Sequence, residues 1–312
     1  MTGQADDLRR VGSALGSLAR SDHPLGALTT YRVGGPARLF VEPVDEAELR
    51  AVAAAIDGRD VPVLVLGRGS NLLVADDGFS GLAVSLARGF DEIAIEGSSV
   101  RAGGAVSLPV LARRSASAGL TGLEWAVGVP GSVGGAIRMN AGGHGSDTAH
   151  VLVECRVVDL RSGVTTDVPV AGLAYAYRHS SLSCSQVVEA GRFGLQPGEA
   201  EESLAQIAEI VRWRREHQPG GSNAGSVFTN PPGDSAGRLI DAASLKGHRI
   251  GSAEVSPKHA NFIQADVNGS AADVRRLIED VQRRVRERFG VELATEVRMI
   301  GFGTAAGPRT PS

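Results

Sequence analysis

Apolar residues along the chain recur in two periods, one near two residues and one near 3.6, and the alternation between them predicts the elements. Ala37 to Val44 reads as a strand closed by Pro43, and Asp45 then stands where a helix cap belongs. Leu49, Val52, Ala53 and Ile56 follow the i, i+3, i+4, i+7 spacing of a helix buried on one face. A buried strand from Val61 to Leu66 comes next, followed by strand-like runs at Leu72–Ala75, Leu82–Leu86, Glu92–Glu96 and Ser99–Ala102. Ser107 to Ala118 reads as a helix with Pro109 near its start and Gly119 at its end. Strands resume at Leu152–Leu160, Thr165–Val168 and Val187–Ala190. A helix is expected from Glu199 to His217, with Leu204, Ile207, Ala208 and Val211 on its buried face and Pro219-Gly220-Gly221 beyond it. His259–Ala265 reads as a strand. Ser270 and Asp273 form a capping box for a helix whose stripe is Val274, Leu277, Ile278, Val281 and Val285. A strand over Leu293–Ile300 ends the pattern. Residues 1–25 carry a short amphipathic stretch and a polar break at Ser21-Asp22-His23-Pro24, and residues 304–312 are expected to be disordered.

Composition narrows the class without naming a chemistry. The 312 residues are 42% hydrophobic and 21% charged, as expected of two or three globular domains. Thirty-two Lys and Arg against thirty-five Asp and Glu leave a formal charge of −3, which suggests neither a nucleic-acid footprint nor a basic membrane face. No apolar run approaches the ~18 residues of a membrane span. The polar start MTGQADDLRR fits neither a signal nor a transit peptide. Cys155 and Cys184 lack metal-finger spacing, so reduced thiols in a cytoplasmic protein and no metal site are expected.

Glycine is the unusual quantity: 41 of 312 residues, roughly 13% against a typical ~7%. One cluster, Gly67-Arg68-Gly69-Ser70-Asn71, directly follows a buried strand. It reads either as a tight β-turn or as a loop that aims successive N–H groups at a phosphate. It is neither a Rossmann nor a Walker A fingerprint, because the third glycine and the Gly-Lys-Ser/Thr are missing. The second cluster, Gly128-Val129-Pro130-Gly131-Ser132-Val133-Gly134-Gly135-Ala136, continues to Asn140-Ala141-Gly142-Gly143. It reads either as a surface loop or as backbone lying against a flat or anionic ligand. Two such loops in one region favour a dinucleotide held between them.

Together with these clusters, Thr29-Thr30-Tyr31-Arg32-Val33-Gly34-Gly35-Pro36-Ala37, Tyr177-Arg178-His179-Ser180, Asn223-Ala224-Gly225-Ser226-Val227-Phe228 with Asn230-Pro231, and Thr295-Glu296-Val297-Arg298 stand in a telling order. Ala236–Asp241 and His259–Ile263 lie between the last two. This order resembles the UDP-N-acetylenolpyruvoylglucosamine reductase family over roughly residues 27–302. The resemblance implies an α+β fold: a two-subdomain FAD-binding domain of the vanillyl-alcohol-oxidase-like (PCMH) type plus a smaller α+β substrate-binding domain. The FAD-binding domain would span 1–200, with subdomains at about 1–88 and 89–200, and the substrate-binding domain 201–292. Residues 293–303 would return as a strand to the active site.

The family reduces UDP-N-acetylglucosamine enolpyruvate to UDP-N-acetylmuramate, for peptidoglycan synthesis, through non-covalent FAD and with NADPH as hydride donor. The resemblance places Tyr31, Arg32, Gly67, Arg68, Gly69, Ser70, Asn71, Gly128, Pro130, Gly131, Ser132, Gly134, Gly135, Ala136, Asn140 and Ala141 around the cofactor. It makes Ser226 the acid that delivers a proton, and Arg178 with Glu296 the pair that stabilises the enolate. Arg178 offers a rigid fork of donors for this, while Glu296 could help only if protonated or by orienting a donor. Tyr177, Arg212, His217, Gln218, Asn230 and Asn261 are expected to contact substrate. His217 and Thr229 stand where relatives usually carry lysines, so the attraction for the diphosphate would depend on the charge state of His217. The tyrosines are Tyr31, Tyr175 and Tyr177 alone, which matches the family's shorter form without a tyrosine-bearing loop. A monomer binding the substrate and NADPH, with no nucleic acid and no membrane, is expected. The alternatives are another FAD-dependent oxidoreductase of this fold, or a non-catalytic paralogue that binds flavin or a UDP-sugar.

Overall fold

Local signals set most of the helices. In the computed structural model, which describes residues 2–303, Asp45 caps the helix Glu46–Ile56 by accepting from Glu48 N at 2.9 Å. Leu49, Val52, Ala53 and Ile56 turn inward as their spacing requires. The expected tail at 304–312 lies outside the described residues. The chain mixes helices and strands in the α+β manner and divides into two compact units. One takes the residues up to Asp22, then Leu39–Arg68 and Gly81–Arg214; the other takes His23–Arg38, Gly69–Ser80 and the residues from Arg215 onward.

The first unit is organised by a five-stranded antiparallel sheet. Its strand order is Thr165–Pro169, Leu152–Asp159, Gln186–Gly194, Ser99–Gly103 and Ile93–Glu96. Val100, Val157 and Phe193 from this sheet pack with Leu108 and Leu111 of the helix Leu108–Ser117 and with Ile207 and Ile210 of the helix Ala200–His217. A separate cluster gathers Val11 and Leu15 with Leu49, Val52 and Ile56 around Val63 and Leu82, where Val63–Val65 runs parallel to Phe79–Val84.

Several expectations need correction. The polar run Ser21–Pro24 is not a break but part of the strand Ala19–Pro24, first in a four-stranded order, where an edge position leaves its side chains in solvent. The helix Ala200–His217 buries Ser203, Ile207 and Ile210 and leaves Leu204 and Ala208 exposed. Its face is rotated because Ser203 donates to the buried Glu124 carboxylate at 2.7 Å. The second glycine cluster is not loop throughout, since Val133–Met139 is a helix capped by Ser132, which accepts from Gly135 N at 3.2 Å. A Cβ at Gly134 would lie 3.2 Å from Gly104 O and 3.3 Å from Val188 O, so glycine there lets the helix lie close to neighbouring backbone. The helix Ala236–Ala242 carries no apolar stripe long enough to predict it.

In the second unit the helix Ala271–Phe289 buries Val274, Leu277, Ile278, Val281 and Val285 completely, all at 0% exposure. It packs beside the antiparallel strands Arg249–Ile250, Ala253–Val255 and Ile263–Ala265, the last much shorter than expected. Regular pairing near the C-terminus is likewise confined to Arg298–Ile300, parallel to Leu72–Val74. The capping box is only half formed. Ser270 accepts from Ala272 N and Asp273 N, but the Asp273 carboxylate turns to Ser252 N and Oγ at 2.7 and 2.8 Å. Ser252 Oγ supplies the missing acceptor, taking Ser270 N at 2.8 Å, and the Asp76 carboxylate adds a second cap by accepting from Ser270 Oγ at 2.7 Å, Ala271 N at 2.8 Å and Ala272 N at 3.0 Å. No described helix is long and apolar enough to cross a membrane.

Partial burial would push the Asp76 carboxyl up, but the bonds from Ser270, Ala272 and Ala271 outweigh it and hold the group below its ordinary value. A depressed folded-state value contributes stability above the unfolded value of about 4 and loses it as pH falls through the folded one. Asp76→Ala should therefore cost about 1–2 kcal/mol at neutral pH, the usual range for a lost cap. In urea titrations the gap between variant and wild type should narrow as pH is lowered toward about 3; a constant gap would contradict the account.

Candidate active site

Ser226 sits in an extended run of the second unit whose entry is set by Gly225. That glycine has φ +74, while nothing lies within 4 Å of a Cβ built on it. Backbone conformation, not close approach, is what calls for glycine here. Asn223 Oδ1 accepts from Gly225 N at 3.0 Å and shapes the turn. Beyond Ser226 the chain is held from two sides. Val227 N donates to Asn261 O at 2.9 Å, Val227 O accepts from Glu296 N at 2.8 Å, and Thr229 N donates to Ala294 O at 2.9 Å. Phe228 and Thr295 form the bridge between these last two contacts. Ser226 and Glu296 are thus placed on adjoining runs of chain joined by an isolated bridge.

Ser226, Asn230 and Asn261 line a cavity of about 350 Å³ together with Lys246, Lys258 and His259. Lys246, Lys258 and His259 were not singled out from sequence, although Lys258 and His259 directly precede the Ala260-Asn261 pair; Arg238 and Asp241 line the same cavity, and Lys246 Nζ donates to Asp241 Oδ2 at 2.7 Å. The Asn261 side chain does not point to a free ligand position with either end: Oδ1 accepts from Phe228 N at 3.0 Å and Nδ2 donates to Phe228 O at 2.8 Å. Asn230 Oδ1 accepts from Ala236 N at 3.0 Å, at the start of the helix Ala236–Ala242. Burial, with Lys246 nearby, lowers the His259 imidazole against an opposing backbone bond. Among the described residues, His217 and Gln218 do not line this cavity.

The loop after Val63–Val65 is crowded where its glycines lie. Gly69 has φ +58, and a Cβ there would fall 2.4 Å from Leu28 O and 2.7 Å from Thr29 Cα. Thr30 N donates to Gly69 O at 3.2 Å, so the Thr29–Arg32 turn is stacked on this loop. Arg32 is exposed and left-handed, with φ +56. Asn71 Nδ2 donates to Glu296 O at 3.1 Å and Asn71 O accepts from Arg298 N at 3.0 Å. Among the described residues, none of the N–H groups from Gly67 to Asn71 has a protein acceptor. Tyr31 is 0% exposed, and its hydroxyl and the neighbouring Thr30 Oγ1 are buried without a partner. Burial pushes the Tyr31 phenol up, so it stays a neutral donor. Free amides beside two orphan hydroxyls fit a ligand that brings acceptors, as a dinucleotide does. Arg68 is exposed and Ser70 half-buried on the same loop.

In the first unit Gly67 meets the second glycine cluster, since a Cβ on Gly67 would lie 2.6 Å from Ser132 Oγ. The N–H groups of Val133, Gly134 and Gly135 are already given to Val106 O, Gly104 O and Ser132 Oγ. This cluster therefore offers a ligand the bare backbone around Gly128, Pro130 and Gly131, not a helix-end anion site. Asn140 is buried with φ +42, and its amide bonds Asp147 Oδ2, Ala176 O and Ala149 N at 3.3, 3.3 and 3.0 Å. Ala141 N donates to Ala136 O at 2.9 Å. Arg178 occupies a tight turn closed by mutual Ala176–His179 bonds, with φ +53. Its guanidinium donates to Asn140 O at 3.4 Å and Gly142 O at 2.8 Å and stacks 4.8 Å from the ring of Tyr177, itself 63% exposed. Arg212 is exposed, whereas Arg214, two residues on, approaches Gly128, with its Cδ 3.5 Å from a Cβ built there. Among the described residues no group of three or more His, Cys, Asp or Glu could hold a metal.

Comparison with known proteins gives a consistent picture. Residues 217–300 match the family profile of the UDP-N-acetylenolpyruvoylglucosamine reductase C-terminal domain, and residues 37–168 match that of an FAD binding domain. The chain is 41% identical to UDP-N-acetylenolpyruvoylglucosamine reductase of Methylorubrum populi, over 97% of this chain and 98% of that protein. It is 43% identical to the reductase of the same name from Chloroflexus aggregans, over 90% and 97%. The solved UDP-N-acetylenolpyruvylglucosamine reductase of Thermus caldophilus superposes with a TM-score of 0.79 at 37% identity, covering 90% of this chain and 99% of that one. At the level of fold alone, BBE-like 1 of Physcomitrella patens matches with a TM-score of 0.55 at 13% identity, over 89% of this chain and 88% of that one.

Tyr31→Phe removes a hydroxyl that has no protein partner, so the apoprotein should lose no stability in denaturant titrations. If that hydroxyl serves FAD, the dissociation constant for FAD should rise by about 5- to 10-fold, the worth of one hydrogen bond. Fluorescence titration of the apoprotein with FAD checks this.

Proposed function

The chain belongs to the UDP-N-acetylenolpyruvoylglucosamine reductase family, and on that premise we propose how its residues share the work. It is an FAD-dependent oxidoreductase that reduces UDP-N-acetylglucosamine enolpyruvate to UDP-N-acetylmuramate with NADPH, in peptidoglycan precursor synthesis. Bound FAD would supply the hydride-transfer chemistry that links NADPH to the substrate, and the Gly67–Asn71 loop with Tyr31 and Arg32 would hold it. We assign FAD binding to residues 1–200 and substrate binding to 201–292, with 293–303 returning to the active site. The profile matches at 37–168 and 217–300 support that division.

The protein's own task is to hold the enolpyruvyl group, stabilise the charge that develops beside its carboxylate, and deliver one proton there. Ser226 delivers that proton. A serine hydroxyl is a weak acid, so it serves only where donors and cations stabilise the oxygen it leaves behind. The lining of its cavity by Lys246, Lys258 and His259 supports such a setting and suits an anionic diphosphate. The Arg178 guanidinium is oriented by the carbonyls of Asn140 and Gly142, to which it donates, and so needs little reorganisation to meet an enolate. Glu296 completes the set. Tyr177, Arg212, His217, Gln218 and Asn230 are assigned to substrate, and the Gly67–Asn71 loop with Tyr31 and Arg32 to FAD. The observation that supports the reading is the Glu296 N to Val227 O bond of 2.8 Å, which sets the residue after Ser226 against Glu296.

Under anaerobic conditions NADPH should bleach the visible flavin band of the purified protein, and UDP-N-acetylglucosamine enolpyruvate should restore it. A band that bleaches and does not recover would oppose this substrate. In Ser226→Ala, bleaching by NADPH should keep its wild-type rate while recovery slows by at least about 100-fold. Equal slowing of both steps would remove Ser226 from proton delivery.

A further inference from the structure

We propose that Asn261 is a positioning residue for Ser226, acting on the main chain that carries the serine instead of on the substrate. The proposal rests on Ser226 being the proton donor. Asn261 is 4% exposed, and both ends of its amide are engaged by one residue: Phe228 N donates to Oδ1 at 3.0 Å and Nδ2 donates to Phe228 O at 2.8 Å. Its own carbonyl accepts Val227 N at 2.9 Å. The pair of bonds to Phe228 reproduces what a neighbouring strand would offer, on the edge where no strand runs. The opposite edge is closed by Thr295 and Glu296. Val227 and Phe228 are therefore clamped from both sides. Ser226 lies immediately before this clamp, between it and the left-handed Gly225, so its place in the cavity follows from the clamp.

The same residue orders a cavity wall. Asn261 N donates to His259 Nδ1 at 3.2 Å, which makes Nδ1 the acceptor and leaves the ring proton of the neutral imidazole on Nε2. The chemistry requires one donor and one acceptor at amide spacing. Aspartate is isosteric but, when ionised, sets a carboxylate against Phe228 O; alanine leaves a buried N–H and a buried C=O unpaired. Either change loosens the chain at Ser226, and a shift of about 1 Å at a reacting group is enough to cost on the order of 100-fold in rate.

The test compares Asn261→Asp and Asn261→Ala with wild type and with Ser226→Ala, each purified with its FAD. Anaerobic stopped-flow measures flavin reduction by NADPH, then flavin reoxidation across a range of UDP-N-acetylglucosamine enolpyruvate concentrations. For the Asn261 variants the limiting reoxidation rate should fall by about 30- to 100-fold, with the half-saturating substrate concentration and the NADPH step within about threefold of wild type. Asn261→Asp, which keeps the side-chain shape, is the variant expected to hold FAD best. A raised half-saturating concentration at unchanged limiting rate would make Asn261 a substrate ligand and overturn the proposal. Equal losses in both steps, or failure of both variants to retain FAD, would make it merely structural and overturn it too. If Ser226→Ala itself reoxidises normally, the serine assignment fails and the proposal with it. If Ser226→Ala is blocked while the Asn261 variants keep wild-type limiting rates, the positioning role alone fails.

Discussion

Within the second unit, the run Ala294–Ile300 is bonded on two sides, and the candidate chemistry depends on that double attachment. Toward one side Ala294 O takes Thr229 N and Glu296 N reaches Val227 O at 2.9 and 2.8 Å, so the Ser226 segment is held in register. Toward the other, Asn71 takes hold of Glu296 O and Arg298 N at 3.1 and 3.0 Å, and Arg298–Ile300 continues as a parallel partner of Leu72–Val74. The loop that carries Asn71 and the segment that carries Ser226 are thereby referred to one piece of backbone. Main-chain bonds of this kind are short, directional and costly to leave unmade when buried, which is why a run of so few residues can fix positions that side-chain packing would leave loose.

Much of this was legible in the sequence, and the failures have identifiable causes. The stripe of Ala271–Phe289 and the Asp45 cap were read correctly because both depend on near neighbours in the chain. The buried face of Ala200–His217 was misread because Ser203 answers to Glu124, 79 residues away, and no local period records that. Val133–Met139 was read as loop because its glycines score against helix; their benefit, contact with Gly104 and Val188, is visible only in three dimensions. At the site, the order of motifs was legible but the reasons for individual residues were not. Gly225 supplies a left-handed backbone angle, φ +74, that no local period records. Asn261, expected at the substrate, has its amide engaged by Phe228, 33 residues distant. Lys246, Lys258 and His259 stand among ordinary surface charges until the fold gathers them.

The first unit shows the opposite economy, in which conformation is held against local preference. Asn140 and Arg178 both take left-handed backbone angles, φ +42 and +53, and the guanidinium of one bonds the carbonyl of the other. Non-glycine residues enter that region at a cost and stay there only when their surroundings over-determine them. Here the Asn140 amide spans Asp147, Ala176 and Ala149, while mutual bonds close the Ala176–His179 turn. The strain is consistent with an arginine whose direction matters more than its comfort.

The way the second unit is assembled from His23–Arg38, Gly69–Ser80 and everything after Arg215 has a consequence for how the protein comes into being. As the chain leaves the ribosome, Tyr31 and Leu73 emerge long before the residues that will bury them. Asn71 waits for Glu296, 225 residues later. The first unit has every one of its segments once Arg214 has been made and can collapse early, because domains fold as units and early segments lead. The other two segments bond each other, Thr30 N to Gly69 O and Gly35 N to Ala75 O, but the apolar residues that cover Tyr31 and Leu73 come after Arg215, a high-contact-order closure that folds slowly and exposes apolar surface meanwhile. The nascent protein is therefore most open to misassembly just before completion.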